Sequence, residues 1–257
     1  MLNDRDHVFK YKNETLTVPR HSFFIPYATF FSGEYDFLHP GKKDIVIDAG
    51  ANIGDYTLRI ADKVKTIIAI EPSIENLSFL KKNTMNLKNV RIVEKAVGNE
   101  KGLVSFSGDG VSASVDNKGK ISVEIDTLDN ICEELKIAPT ILKMDIEGYE
   151  GDALKGFEDH MSSVRRMVIE IHNDQNKRDC EEVLTRNGFM FRYQRRMDIV
   201  KRTLKNVTSH PLSFIRYDRL SGYYASKVML KFPINRKTSI PACGEMKGMY
   251  LLEGWKI

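Results

Sequence analysis

A chain of 257 residues, 42% hydrophobic and 29% charged, has the make-up of an ordinary globular protein able to bury the core of one large α/β domain, which excludes a disordered or fibrous chain. Its net charge of +4 conceals a division: residues 1–185 carry 24 Lys+Arg against 31 Asp+Glu, a balance of −7, whereas residues 186–257 carry 15 against 4, a balance of +11. Three scattered cysteines (Cys132, Cys180, Cys243), no apolar run near the ~18 residues of a membrane span, and a polar start at residues 1–6 lead to the expectation of reduced thiols, no membrane-spanning helix, no signal peptide and a cytoplasmic protein.

Residues 1–40 read as an N-terminal lid or flanking segment. Two short β-like pieces (8–11 and 15–18) precede an aromatic cluster of Phe23, Phe24, Tyr27, Phe30, Phe31, Tyr35 and Phe37, which is expected to close a core rather than stack on a ligand. The catalytic core is expected over 41–193, a basic insert over 194–248, and a last strand over 249–257.

The informative stretch is 45–57, IVIDAGANIGDYT. Residues 45–47 are β-branched and too few for a helix, which suits a strand buried on both faces. Gly50 permits a sharp turn and a close backbone approach. Gly54 is expected to let the following helix pack against the strand, and Tyr56, Ile60 and Val64 continue at helical spacing. A second apolar run, 66–70, ends at Glu71 and Pro72, about 20 residues past the glycine turn, where a carboxylate accepts from the hydroxyls of a ribose. A pyrophosphate-binding turn reads G-x-G-x-x-G, but here Asn52 and Asp55 replace two of the glycines. Asp48 and Asp55 sit badly beside phosphate and well beside a cation. A turn of this kind suits S-adenosylmethionine, which carries a sulfonium and no phosphate.

Residues 73–86 read as a helix with Ile74, Leu77 and Leu80 on one face, and 90–93 as a third strand lying beside the first, so that Ala96 edges an adenine. Residues 99–127 alternate in the β manner as an irregular insert, and Thr127 or Asp126 caps a helix through about Leu135. In the strand 141–145, alternation puts Lys143 and Asp145 on one side. A lysine buried there needs a partner, expected to be Asp145 or a ligand group. Glu147, Gly148 and Glu150 follow at the carboxyl edge of the sheet, where such sheets bind ligands. The strand 167–172 brings Glu170 and His172 to the same edge. A helix over 180–187 and a sixth strand over 189–193 come next, and residues 194–248 read as irregular, basic and aromatic.

IVIDAGANIGDYT (45–57), AIEP (69–72), KAVGNEKG (95–102), TLD (127–129), LKMDIEGYE (142–150) and VIEIH (168–172) resemble the FkbM family of S-adenosylmethionine-dependent methyltransferases, over roughly residues 34–190. The resemblance implies a class I methyltransferase fold, a Rossmann-like doubly wound sheet that is mostly parallel with an antiparallel last strand. It also implies O-methylation of a natural-product, sugar or glycan hydroxyl. Asp48, Gly50, Asn52 and Gly54 match the family's cofactor turn, Glu71 the ribose acid, and Asp145 the acid beside the methyl group; Pro72 and Ala96 complete the expected cofactor set.

Transfer to a hydroxyl needs orientation of the acceptor and removal of its proton, for which Asp145, Glu147 and His172 are the candidates, with Lys143 as a group that lowers the acceptor's pKa. Glu170, Arg195 and Arg196 are expected to meet the acceptor. No metal ligand is assigned, a divalent ion held by the clustered acids and histidine being the lesser alternative. Residues 191–247 carry 13 Lys+Arg against 3 Asp+Glu among aromatics, a pattern that suits an anionic partner and makes RNA the main rival to a sugar, glycan or small-metabolite acceptor. A dehydrogenase using NAD and a non-catalytic cofactor-binding module are the remaining alternatives.

Overall fold

The computed structural model describes residues 6–11, 14–19, 22, 24–107, 114–115, 121–221 and 250–256. A hairpin of β1 (Asp6–Tyr11) and β2 (Glu14–Pro19) comes first, then a short helix α1 (Phe24–Pro26) that runs into a π-helical turn, Tyr27–Ser32. There follow β3 (Ile45–Ala49), α2 (Asp55–Ile60), β4 (Thr66–Ile70), α3 (Ile74–Thr84), β5 (Val90–Val93), β6 (Ala96–Val97), β7 (Gly102–Ser107), β8 (Ser114–Val115), β9 (Ile121–Asp126), α4 (Leu128–Leu135), β10 (Ile141–Met144), α5 (Glu150–Lys155), β11 (Arg166–Ile171), α6 (Asp174–Arg186), β12 (Met190–Tyr193), α7 (Arg196–Ser209), α8 (Pro211–Ser221) and β13 (Tyr250–Trp255).

Seven strands form the main sheet in the order β12-β13-β11-β10-β3-β4-β5, parallel except for β13, which runs antiparallel to both β11 and β12. This is the mostly parallel sheet with an antiparallel last strand that the resemblance implies. The reversal of strand order at β3 and β10 opens the crevice in which doubly wound sheets bind ligands.

The apolar runs are buried on both faces. Ile47, Ala49, Leu142, Met144, Met167 and Ile169 pack on one side with Leu128, Ala153, Leu154 and Cys180. On the other, Val46, Ile67, Ile141 and Val168 pack with Tyr35, Leu38, Tyr56 and Ile60. Period-two alternation thus sends polar members of the strands, Asp48, Lys143 and Glu170, to the second side. Phe30, Phe31, Tyr11 and Leu16 form a further core under the hairpin, so the described aromatics of the N-terminal segment close a core, as expected; Phe23 lies outside the described residues.

Four expectations are corrected. The third strand does not lie beside the first: β5 is the sheet edge, separated from β3 by β4, and Ala96 belongs to a second sheet, paired with Ile125. That second sheet, in the order β6-β9-β7-β8, replaces the irregular insert. Residues 196–221 form two helices because their apolar residues recur at helical rather than alternating spacing, with Ile199 and Thr203 buried. Ile74, at the first turn of α3, is 70% exposed, leaving Leu77 and Leu80 as the buried face.

Gly50 has φ +74, and a Cβ there would lie 1.7 Å from the carbonyl oxygen of Asp145. Gly54, at φ +82, would instead collide with Leu80 of α3 rather than with the strand. Gly148 has φ +108, and a Cβ placed on it would meet nothing within 4 Å. Substitution at either Gly50 or Gly148 carries the left-handed strain of about 1–3 kcal/mol, and only Gly50→Ala adds a backbone collision. Gly50→Ala is therefore expected to lower the thermal midpoint well beyond Gly148→Ala in parallel melts, and equal losses would assign the effect to strain alone.

Candidate active site

The turn after β3 is tied to its neighbours by backbone hydrogen bonds. The N–H groups of Gly50 and Ala51 both donate to the carbonyl of Ile70 at 2.9 Å, and the Asp145 N–H donates to the Ala49 carbonyl at 3.0 Å. Glu71, at the tip of β4 and 4% exposed, accepts from the N–H of Asn52 at 2.8 Å and of Ser73 at 2.9 Å, and from the Asn76 amide at 3.3 Å. Burial raises its pKa, and these hydrogen bonds oppose the rise. Asn52 adopts φ +50, and its buried Oδ1 has no hydrogen-bond partner among the described residues.

Lys143 lies opposite Asp48 in the β3/β10 register. Its Nζ is 3.2 Å from the Asp48 carboxylate and donates to the Gly50 carbonyl at 2.6 Å. Thr57 donates to the same carboxylate at 2.6 Å. The expected partner, Asp145, is thereby corrected: the parallel register sets the lysine beside Asp48 on the adjacent strand, whereas Asp145 lies past the end of β10. Burial works against the lysine's charge, but Asp48, then Asp145 and Asp55, raise its pKa. Asp55, buried at the start of α2 and bonded by the Thr29 hydroxyl, is pushed by burial up to about 6.

At the carboxyl edge, Asp145, Glu147 and His172 come together. His172 Nε2 is 3.8 Å from Asp145 Oδ1 and 3.4 Å from Glu147 Oε2, while its Nδ1 is 2.8 Å from the fully buried Glu150. Burial opposes the imidazolium, but the Glu150 hydrogen bond and the surrounding carboxylates raise its pKa to about 10. Burial and the charge of Asp145 push Glu147 up to about 7. Glu147 also holds φ +55, a conformation seldom taken by a residue with a side chain. Glu170, one strand away, is driven well above the ordinary carboxyl range by burial and then by Asp145 and Glu34.

Two participants escape the sequence. Tyr35 donates its hydroxyl to Asp145 Oδ2 at 3.3 Å, and Glu34, 6% exposed, is held near the same acids, its carboxyl pushed up to about 8 by burial and then by Asp145 and Asp55. The aromatic cluster around them signalled a core and hid the acid within it. Arg195 is an exposed side chain on the cap of α7, 3.3 Å from Asp198. The side chain of Arg196 lies outside what is described.

The methyltransferase FkbM domain family matches residues 48–198. Hexuronic acid methyltransferase AglP of Haloferax volcanii is 25% identical over 150 residues, 56% of this chain and 62% of that protein. The crystal structure of a methyltransferase FkbM from Methylobacillus flagellatus superposes with a TM-score of 0.51 at 23% identity, covering 66% of this chain and 44% of that one. The chain thus spans less than two thirds of the length of either relative.

Lys143→Met strips the buried Asp48 of its cation and is expected to cost about 3–5 kcal/mol in denaturant titrations. Adding Asp48→Asn should recover part of that loss, and strictly additive losses would show that the pair is not coupled. A second expectation concerns pH. The folded chain keeps the Glu34 proton up to about 8, whereas the unfolded chain releases it near the ordinary value of 4.5; this group therefore favours the fold below pH 4.5 and loses that contribution as pH rises towards 8. Glu34→Gln removes the dependence. Unfolding free energies from pH 5 to 8 should move in the variant's favour as pH rises, and a constant difference would place the titration elsewhere.

Proposed function

We propose, for a chain that belongs to the methyltransferase FkbM family, that it methylates a hydroxyl of a sugar or glycan with S-adenosylmethionine as donor. The family sets the dehydrogenase alternative aside. One observation carries the reading: the glycine turn and the acidic edge are packed against each other, Gly50 lying where any Cβ would strike the Asp145 carbonyl. A donor seated over the turn is therefore beside Asp145.

The residues fit such a donor. Asp48, Gly50, Asn52 and Gly54 would form its turn, with the unpartnered Asn52 Oδ1 as a free acceptor, and Glu71 retains lone pairs for a ribose diol beyond the hydrogen bonds it already accepts. Asp55, an acid at the start of α2, suits a positive donor better than a pyrophosphate, whereas the charge of Asp48 is committed to Lys143. When bound, S-adenosylmethionine supplies an electrophilic methyl group. The chain's own work is to orient the acceptor oxygen in line with it and to take up the hydroxyl proton. Asp145 and Glu147 are the groups placed to accept that proton. Both ring nitrogens of His172 face carboxylates, so it orients the acids. Lys143, committed to Asp48 and the Gly50 carbonyl, holds the turn in shape.

The likeness to a hexuronic acid methyltransferase supports a sugar acceptor, and a uronic acid would also be the anionic partner that the basic C-terminal part suits. RNA remains the rival acceptor. Calorimetry should give binding of S-adenosylhomocysteine and none of NAD, with Glu71→Ala weakening it by about 1–3 kcal/mol. Labelled methyl should pass into a uronic-acid glycan fraction, and Asp145→Asn should lose turnover while melting as a folded protein. Label that enters nuclease-sensitive material would replace the sugar with RNA, and NAD binding in place of S-adenosylhomocysteine would end the reading.

A further inference from the structure

The carboxyl edge holds more acid than it has cations to balance. Asp145, Glu147 and Glu150 all face the one imidazole of His172 there. The nearby Lys143 is bound to Asp48, and Arg202, which also acts on Glu34, is shared between Glu253 at 3.3 Å and the Gln194 side chain at 2.6 Å. His172 is left as the remaining counter-charge among the described residues. Buried charge that lacks a partner either neutralises or gathers a cation.

We infer that Asp145, Glu147 and His172 bind a divalent metal ion at this edge. Each can present one ligand atom, and these atoms lie within 4.8 Å of one another, a spacing that one ion between them can span. The donor set of two carboxylates and one imidazole suits Mn²⁺ or a similar first-row ion. His172 is arranged as a metal-binding histidine is, its Nδ1 against the buried carboxylate of Glu150 at 2.8 Å and its Nε2 turned to the two acids. Binding would replace the Nε2 proton with the ion and release that proton to solvent.

An observation outside the triad points the same way. Glu34 is 6% exposed and its Oε1 has no hydrogen-bond partner among the described residues. The next residue, Tyr35, reaches Asp145 with its hydroxyl. A carboxyl buried without a donor and set against other carboxyls is costly in isolation and becomes favourable when a divalent charge lies among them. Three protein ligands leave coordination positions open, and two adjacent oxygens of a sugar fit them. That role for the ion rests on the proposed function; the ion site itself does not.

Mn²⁺ added to the full chain without donor or acceptor tests the site, followed by electron paramagnetic resonance of the free ion and by calorimetry. One saturable equivalent is expected, weakened at least ~10-fold by Glu147→Gln and likewise by Asp145→Asn, with both variants checked for native circular dichroism. Glu158→Gln, at an exposed pair with Arg186, should leave binding unchanged. Absence of a saturable equivalent, or binding undiminished in Glu147→Gln, overturns the inference. The assay involves no methyl transfer, so a failed transfer reaction and a failed ion site are separate results.

Discussion

A buried ion pair between adjacent parallel strands, Lys143 against Asp48 at 3.2 Å, is the constraint from which the site's shape follows. Its cost in desolvation is large and is offset in part by two further hydrogen bonds: the ammonium also donates to the Gly50 carbonyl, and the carboxylate also accepts from Thr57. The pair fixes the register of β3 against β10 and draws in the carbonyl of the turn. With Gly50 held there, only a residue lacking Cβ allows Asp145 to follow β10 so closely. The wall of the crevice at the turn and the position of the acid beside it are one packing solution.

Beyond Asp145 the same economy fails, and the failure carries information. Stability alone would favour apolar groups around Glu170 and Glu34, since carboxyls crowded in low dielectric hold protons that they would release in water. A chain keeps such an arrangement where the charges serve something that is bound. The left-handed backbone of Glu147 lies in the same loop. Conformational strain and a histidine ringed by acids fall at one sheet edge, with a partnerless carboxyl oxygen on Glu34, the neighbour of the Tyr35 that reaches Asp145, and perturbed groups gather in this way at working sites more than elsewhere.

How much of this the sequence discloses depends on the range of the interaction concerned. The strand-turn-helix at 45–57 was legible because its signals are local: β-branched residues, then glycines at the positions where φ is positive. The tip acid Glu71 and the acids after β10 were legible by spacing. Strand order was not, since the place of β5 at the edge is decided by which neighbour it pairs with, and a four-residue strand with three apolar members is specified without naming its partner. For the same reason Lys143 could be identified as needing a partner without the partner being known: Asp48 is 95 positions away and meets it only through the register. Glu34 was hidden because it sits in an aromatic segment whose composition announces a core, and its approach to Asp145 depends on how the N-terminal segment lies over the sheet.

The basic C-terminal part invites the same distinction between counted charge and available charge. Arg192 lies 2.7 Å from the buried Glu253 on β13, and Arg202 of α7 reaches the same carboxylate at 3.3 Å; Arg195 is engaged by Asp198. Arg192 and Arg202 hold the last strand and the helix after β12 in place, and because Glu253 and Asp198 are already subtracted in the balance of +11, that balance is the charge left over after these pairs. Gln194 adds to the argument, since it joins Arg202 to the backbone carbonyl of Glu34 and so links the start of this basic region to the acidic edge. Among the described arginines, Arg192 and Arg202 act as fasteners beside the site, so their charge is committed to the fold and the net excess is carried by other cations of the region.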